Sequence, residues 1–180
     1  MNILDLGCGT KKVRGSIGLD VVKHKSVDVV HDLTKFPYPF EDNKFDIVIA
    51  NHILEHIEYN NDFFNLMREV HRILKPNGIF KIEVPYRKGR FACSNPEHTR
   101  FFQIGYFDYF KPSFEQNTSH LSNKAGVCFR RIHQELAWIS QGKFLNVLKP
   151  LYNLYHPFSE LILSNFIPPD VVRFELEVLK

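Results

Sequence analysis

Long apolar runs are missing from this 180-residue chain. None approaches the ~18 residues that cross a bilayer as a helix, so no transmembrane segment is expected. Met1 leads straight into a charged, strand-like segment, and no signal peptide is expected either. Cysteine is scarce: Cys8, Cys93 and Cys128 are far apart and form no CxxC pair. That excludes a disulfide framework and a zinc or dithiol motif of that kind, and it suits a reducing cytoplasm. Excess charge is small, +3 at pH 7, too little to imply nucleic acid as a partner. There is no internal repeat and no low-complexity tract. Tryptophan occurs once, yet there are seventeen Phe and seven Tyr. These aromatic residues are spread unevenly: nine fall in 1–90 and sixteen in 91–180, eight of them within 91–115.

The length suits one domain, 1–180, large enough to bury a core without disulfide or metal support. Its first half alternates strands and helices. Short apolar runs at 2–6, 16–20 and 27–30 read as strands, and 45–50 (FDIVIA) is continuous enough for a central parallel strand covered on both faces. Phe63, Leu66, Met67, Val70, Ile73 and Leu74 then recur at helical spacing. Asn60 or Asn61 is placed to cap that helix, Asp62 suits its first turn, and Pro76-Asn77-Gly78 stops it. A strand at 79–84 completes a strand–helix–strand unit and implies a parallel sheet. Beyond residue 85 the pattern loosens. Residues 102–114 read as a helix or an aromatic lid, 127–137 as a strand, and 144–167 as helical pieces broken by prolines. Alternation over 171–179 predicts a half-exposed strand antiparallel to 127–137.

The richest segment chemically is Ile3-Leu4-Asp5-Leu6-Gly7-Cys8-Gly9-Thr10. A strand running into glycines lets a ligand approach the backbone, and open α/β sheets bind ligands at the carboxyl ends of their strands. A dinucleotide fingerprint needs Gly or Ala where this chain has Lys12, and no phosphate-loop motif occurs. Asp5 beneath the turn suits a ligand with positive charge better than a phosphate. Asp20, Asp32, and then Asn51 with His52, stand at the tips of successive strands, and such a series makes one crevice. There Asp20 is placed for the two hydroxyls of a ribose and Asp32 for an adenine amine. Each aspartate by itself reads as a turn residue.

Two further clusters carry charge. His52-Ile53-Leu54-Glu55-His56 matches a zinc-protease pattern that belongs on a helix, whereas here it follows a buried strand, which disfavours a protease. Tyr86-Arg87-Lys88-Gly89-Arg90, with Arg100 beyond it, places four cations within fifteen residues. They read either as a phosphate- or carboxylate-binding loop or as a solvated one.

Taken in order, LDLGCGT, IGLD, HDLTKFPYPFEDNKFDIVIANHILEHI and LMREVHRILKPNGIFKIEVP resemble the class I S-adenosylmethionine-dependent methyltransferases over 2–85. The similarity is closest to the small Rossmann-like group with Leu-Glu-His after the fourth strand. It implies an α/β, Rossmann-like three-layer sandwich, mostly parallel with an antiparallel last strand. Here that fold would be truncated at the N-terminus: strand one starts at once, and 7–15 leaves room for one helical turn or none. The implied cofactor is S-adenosylmethionine, with S-adenosylhomocysteine as product. Asp5, Gly7, Cys8, Gly9 and Thr10 would border its methionine portion and Asp20 its ribose. Asp32 and Leu33 would meet its adenine, and Asn51 with His52 its sulfonium side.

The expected reaction is in-line methyl transfer to an O or N atom of a small-molecule acceptor, which the cation cluster would make anionic. His52 is the first candidate for the base and His98 the second. Residues 1–85 would be the cofactor half, 86–170 the acceptor-side cover and 171–180 the last strand. In the cover, Phe91, Phe101, Phe102, Tyr106, Phe107 and Tyr109 would set specificity. No metal is expected, Glu55 and His56 being read as hydrogen-bonding the backbone. Some quinone-pathway O-methyltransferases look similar at this loop and hold a divalent ion, which His52, Glu55, His56 and His98 would mimic. Two other classes compete: an inactive methyltransferase-like binding module, and a membrane-surface lipid or glycolipid enzyme. The second would use the apolar clusters Leu151, Leu154, Tyr155 and Phe158, Leu161, Ile162.

Overall fold

The computed structural model describes residues 1–112, 125–139, 145–154 and 162–180. Seven strands form one sheet: β1 (Ile3–Leu6), β2 (Ile17–Asp20), β3 (Val29–Val30), β4 (Phe45–Asn51), β5 (Leu74–Pro85), β6 (Cys128–Ala137) and β7 (Val171–Leu179). Their order across the sheet is β3-β2-β1-β4-β5-β7-β6. All neighbours from β3 to β5 pair in parallel, and β7 runs antiparallel to both β5 and β6. This is the expected Rossmann-like sheet, with its last strand inserted between β5 and β6. The chain winds outward through β2 and β3, then returns past β1 to β4. The carboxyl ends of β1 and β4 therefore mark the switch point where such sheets bind ligands.

The helix expected after the fourth strand is α1 (Asn60–Ile73), with Asp62 in its first turn and His71 and Arg72 in its last. Neither asparagine caps it: Tyr59 holds the cap position without a side-chain bond, and Asn60 is already helical. The helix also ends earlier than the proline suggests. Leu74 is wholly buried and pairs with Phe45 at the start of β5, and Pro76-Asn77-Gly78 form a bulge where the register shifts. Asn77 there takes a positive φ of 60°, which Asn tolerates better than most residues. The expected strand at 27–30 shortens to its last two residues.

The two faces of the sheet differ. Phe80, Ile82 and Val84 of β5 and Val172, Phe174, Leu176 and Val178 of β7 are buried. They share one core with Phe63, Leu66, Met67, Val70 and Ile73 of α1. A short 3-10 turn, Tyr106–Phe110, completes this cover: the Phe107 ring lies 4.9 Å from that of Phe174, and Phe110 lies 6.1 Å from Phe129 of β6. The alternate residues of the same strands are charged and half-exposed, and they pair across strands. Lys81 meets Glu175 at 2.8 Å, Arg173 meets Glu83 and Glu135, and Arg130 meets Glu177 at 3.1 Å.

The layer expected over this second face is thin. All described helices follow β4 in the chain. The β1–β2 and β2–β3 connections are too short for a crossover helix, and Pro37 and Pro39 break the β3–β4 connection. A second short helix, α2 (Lys149–Leu154), reaches this side at the edge, where Lys149 pairs with Glu135 at 3.3 Å. Among the described residues, no helix is long and apolar enough to cross a membrane.

These positions correct part of the expected acceptor cover. Phe102 and Phe107 are core residues, 0% and 1% exposed, while Phe101 is 48% exposed. Phe107→Ala should therefore lower the unfolding free energy by about 3–5 kcal/mol in urea titrations. Phe101→Ala should change it by less than about 1 kcal/mol. Equal effects would place this segment outside the core.

Candidate functional site

The site is built on the turn that follows β1. Gly7 has a φ of +62°, and a Cβ there would stand 2.6 Å from the Ile53 side chain, so the turn closes only around glycine. Asp5 is 3% exposed and does not open to a ligand; its Oδ2 accepts the Val13 N–H at 2.8 Å and anchors the loop. Burial raises its pKa. Cys8 is buried as well, and burial pushes its thiol up. The Gly9 N–H donates to Asp20 Oδ2 at 2.9 Å, tying the turn to the tip of β2, and Thr10 is exposed beyond it.

A cavity of about 190 Å³ opens at these strand tips, and Gly7, Asp20, Asp32, Leu33, Ile53 and His56 are among its walls. It unites four of the residues expected to hold the cofactor, Gly7, Asp20, Asp32 and Leu33. One face offers carboxylates, and Leu33, Ile53 and Ile57 supply an apolar wall suited to a base. Asp32 also acts as the turn residue it resembles: its Oδ1 accepts from the Thr34 N–H at 2.8 Å and the Thr34 hydroxyl at 2.9 Å, which lowers its pKa. Asn51 stands apart, lining a second cavity of about 250 Å³ with Val13, Glu83 and Arg173. Sequence reasoning missed Ile53 and Ile57. The only signal was their place beside the Leu-Glu-His segment, which here forms a 3-10 turn at Leu54–His56.

His52 adopts a positive φ of 53°, and its N–H donates to the Glu83 carbonyl at 2.8 Å. This strained backbone aims the ring between two carboxylates. Nδ1 lies 3.4 Å from Glu55 Oε1, and Nε2 lies 3.0 Å from Glu83 Oε1. Glu55 first, and then Glu83, raise the His52 pKa from 6.5 to about 9. His52, with Arg173, holds Glu83 down at about 2. A ring held between two carboxylates that raise its pKa keeps its proton more firmly than a free imidazole, which counts against the base role expected of His52.

Glu55 is 1% exposed, and neither of its oxygens has a hydrogen-bond partner. Its 3.4 Å approach to His52 is an ion pair longer than a good hydrogen bond. Glu55, His56 and His98 bring three ligand atoms within 4.8 Å of one another, a spacing a divalent ion could use. Charged His52 compensates the same carboxylate without a metal. The His98 Nδ1 lies 3.1 Å from the Ala92 carbonyl, and donation to it leaves Nε2 as the acceptor nitrogen.

The four expected cations do not converge. Arg87 is bonded to Gln103 and Lys88 to Asn165, and Arg90 lies 3.6 Å from buried Asp170. Arg100 is different. Its guanidinium stacks on Phe63 at 4.2 Å from the ring centroid. It donates to Asn60 Oδ1, to the Tyr106 hydroxyl at 3.1 Å and to the Ile57 carbonyl at 3.3 Å. It faces a cleft of about 280 Å³ walled by Phe63, Phe64, Tyr106, Tyr109 and Phe110.

The His52 cluster has a defined pH signature. The raised His52 pKa contributes stability that is full below 6.5 and is lost as pH rises through about 9. The depressed Glu83 pKa contributes stability that is full above 4.5 and is lost as pH falls through about 2. Proton NMR of the His52 ring should give a midpoint near 9, moving toward 6.5 in Glu83→Gln. A wild-type midpoint near 6.5 would contradict the charged ring.

Known proteins point the same way as this geometry. Residues 4–82 match the sequence pattern of a family described as "Methyltransferase domain". A probable S-adenosylmethionine-dependent methyltransferase of Mycolicibacterium smegmatis is 30% identical over 121 residues, 55% of this chain and 45% of that protein. A demethylmenaquinone methyltransferase of Staphylococcus epidermidis is 28% identical over 134 residues, covering 71% and 46% respectively. The chain thus spans about half the length of the curated relatives it matches. The crystal structure of an S-adenosylmethionine-dependent methyltransferase from Archaeoglobus fulgidus superposes with a TM-score of 0.58 at 17% identity, over 98% of this chain and 85% of that one, and shares the fold. By strand order, glycine turn and sequence likeness, the chain is similar to the class I S-adenosylmethionine-dependent methyltransferases and has their fold.

Proposed function

We propose that this protein transfers a methyl group from S-adenosylmethionine to an O or N atom of a small-molecule acceptor. One observation carries the reading: the cavity at the switch point puts Gly7, Asp20, Asp32 and Leu33 around a single nucleoside-sized space. Asp20 holds the ribose. It keeps lone pairs free after accepting the Gly9 and Val22 N–H groups at 2.9 Å each. Asp32 and Leu33 meet the adenine, and the Gly7–Thr10 turn borders the methionine portion.

Bound there, S-adenosylmethionine supplies a methyl carbon whose bond to sulfur breaks, the electron pair staying on a neutral thioether. The leaving group needs no acid, so the protein's main task is to hold the acceptor lone pair in line with that carbon. The acceptor's proton goes to a base. His98 takes this role, because donation from Nδ1 to Ala92 leaves Nε2 free to accept a proton. His52, held as a cation between Glu55 and Glu83, fixes the loop after β4.

Calorimetry with S-adenosylmethionine and S-adenosylhomocysteine should show binding of one equivalent of each. Asp20→Ala should weaken both by about 1–3 kcal/mol, the worth of charge-assisted hydrogen bonds. No heat at high protein concentration would sink the enzyme reading. Binding without methyl transfer to any acceptor tested would favour the binding-module alternative.

A membrane-surface version has one observation behind it. Val147, Leu154 and Phe166, near α2, are 74%, 83% and 80% exposed. Tyr155, Phe158 and Leu161, expected to share that surface, lie outside the described residues. Such an enzyme would float with anionic lipid vesicles, and Leu154→Asp would abolish flotation; a wild-type protein that stays at the bottom of the gradient removes this version.

A further inference from the structure

We propose that the aromatic cleft beside Arg100 binds the anionic end of the methyl acceptor, a single-ring aromatic carboxylate or phosphate ester. This rests on the methyltransferase reading and adds the acceptor's chemical class.

Charge is the first argument. Among the described residues no carboxylate pairs with Arg100, and every acceptor it meets is neutral: an amide oxygen, a phenol and a backbone carbonyl. Arg72 and Arg173, by contrast, meet carboxylates. A planar guanidinium held in one orientation by Phe63 and Asn60 is preorganised for an oxyanion.

Shape is the second. The cleft holds about 280 Å³, at the low end of ligand pockets. Its apolar lining exceeds its polar lining, and the Phe64 and Tyr109 rings lie nearly parallel, 27° apart with centroids at 5.8 Å. Flat rings of this kind favour an aromatic body over an aliphatic one.

Position is the third. The Ile57 carbonyl accepts from Arg100, and Ile57 also lines the nucleoside cavity. The Thr99 and Arg100 N–H groups both donate to the Glu55 carbonyl, at 3.0 and 3.3 Å. One short loop, 55–57, therefore lines the first space and anchors Arg100 at the edge of the second. An acceptor anchored by its anion at Arg100 lies against the same loop as the methyl donor.

The test is calorimetry on the full chain with four probes: benzoate, phenyl phosphate, phenol and inorganic phosphate. Benzoate or phenyl phosphate should bind with one equivalent, about tenfold or more tighter than phenol and inorganic phosphate. Arg100→Gln should remove that preference for charge while leaving S-adenosylmethionine affinity within about threefold. Arg100 also supports the 55–57 loop, so Tyr109→Ala is the companion variant. It leaves the bonds of Arg100 to Asn60, Tyr106 and Ile57 intact and should weaken benzoate and phenyl phosphate equally. Phenol binding as tightly as both anions, inorganic phosphate matching them, or either variant binding like wild type overturns the proposal. Wild-type protein that binds S-adenosylmethionine but neither benzoate nor phenyl phosphate rejects this cleft alone. Anion binding without S-adenosylmethionine binding rejects the acceptor role together with the function it rests on.

Discussion

The apolar face shared by β5 and β7 has to be covered, and how it is covered organises the rest of the molecule. Phe80, Ile82, Phe174 and Leu176 present a continuous buried surface. A fourteen-residue helix, α1, covers part of it. Beyond β5 no second long helix follows among the described residues; a short turn carrying Phe107 and Phe110 takes its place, with Phe63 against both rings at 6.2–6.4 Å. Aromatic rings bury much area per residue, so five residues of turn can cover what would otherwise need several helical turns. The aromatic surplus of the second half is mainly this cover, and its half-buried margin, Tyr106 and Tyr109, becomes the wall of a cleft.

The opposite face is handled by charge. With β1, β2 and β3 joined by short connections, little helix is available to lie over it. The strands carry cross-paired ions there in place of an apolar layer, and exposed pairs of this kind contribute modestly to stability. One of them reaches the site. Arg173 joins Glu83 to Glu135, and Glu83 in turn holds His52. The protonation of a residue at the tip of the central strand is therefore set by neighbours on β5, β7 and the loop after β4.

That loop is where the parts meet. Residues 53–57 supply the apolar side chain that demands glycine at position 7, the wall of the nucleoside cavity and the carbonyls that seat residues 99 and 100.

By itself the sequence determined what depends on neighbours along the chain. Hydrophobic period and the order of turns specified the parallel sheet, α1 and the antiparallel final strand. The spacing of Gly7, Asp20 and Asp32 at strand tips specified that they line one cavity, since strand ends in register must converge. Tertiary structure alone decided the rest. Asn60 looked like a cap and became the first helical residue, and Pro76 looked like a helix stop and became a bulge, because pairing of Leu74 with Phe45 outweighed local preference. His52 looked like a free base; buried Glu55 three residues on, and then Glu83 thirty-one residues away, raise its pKa, and neither the burial of the first nor the approach of the second leaves a local trace. Four cations close in sequence looked like one anion site; only Arg100 faces the cleft without a carboxylate partner. Side-chain charge and direction are set by long-range packing, which periodicity and spacing do not encode.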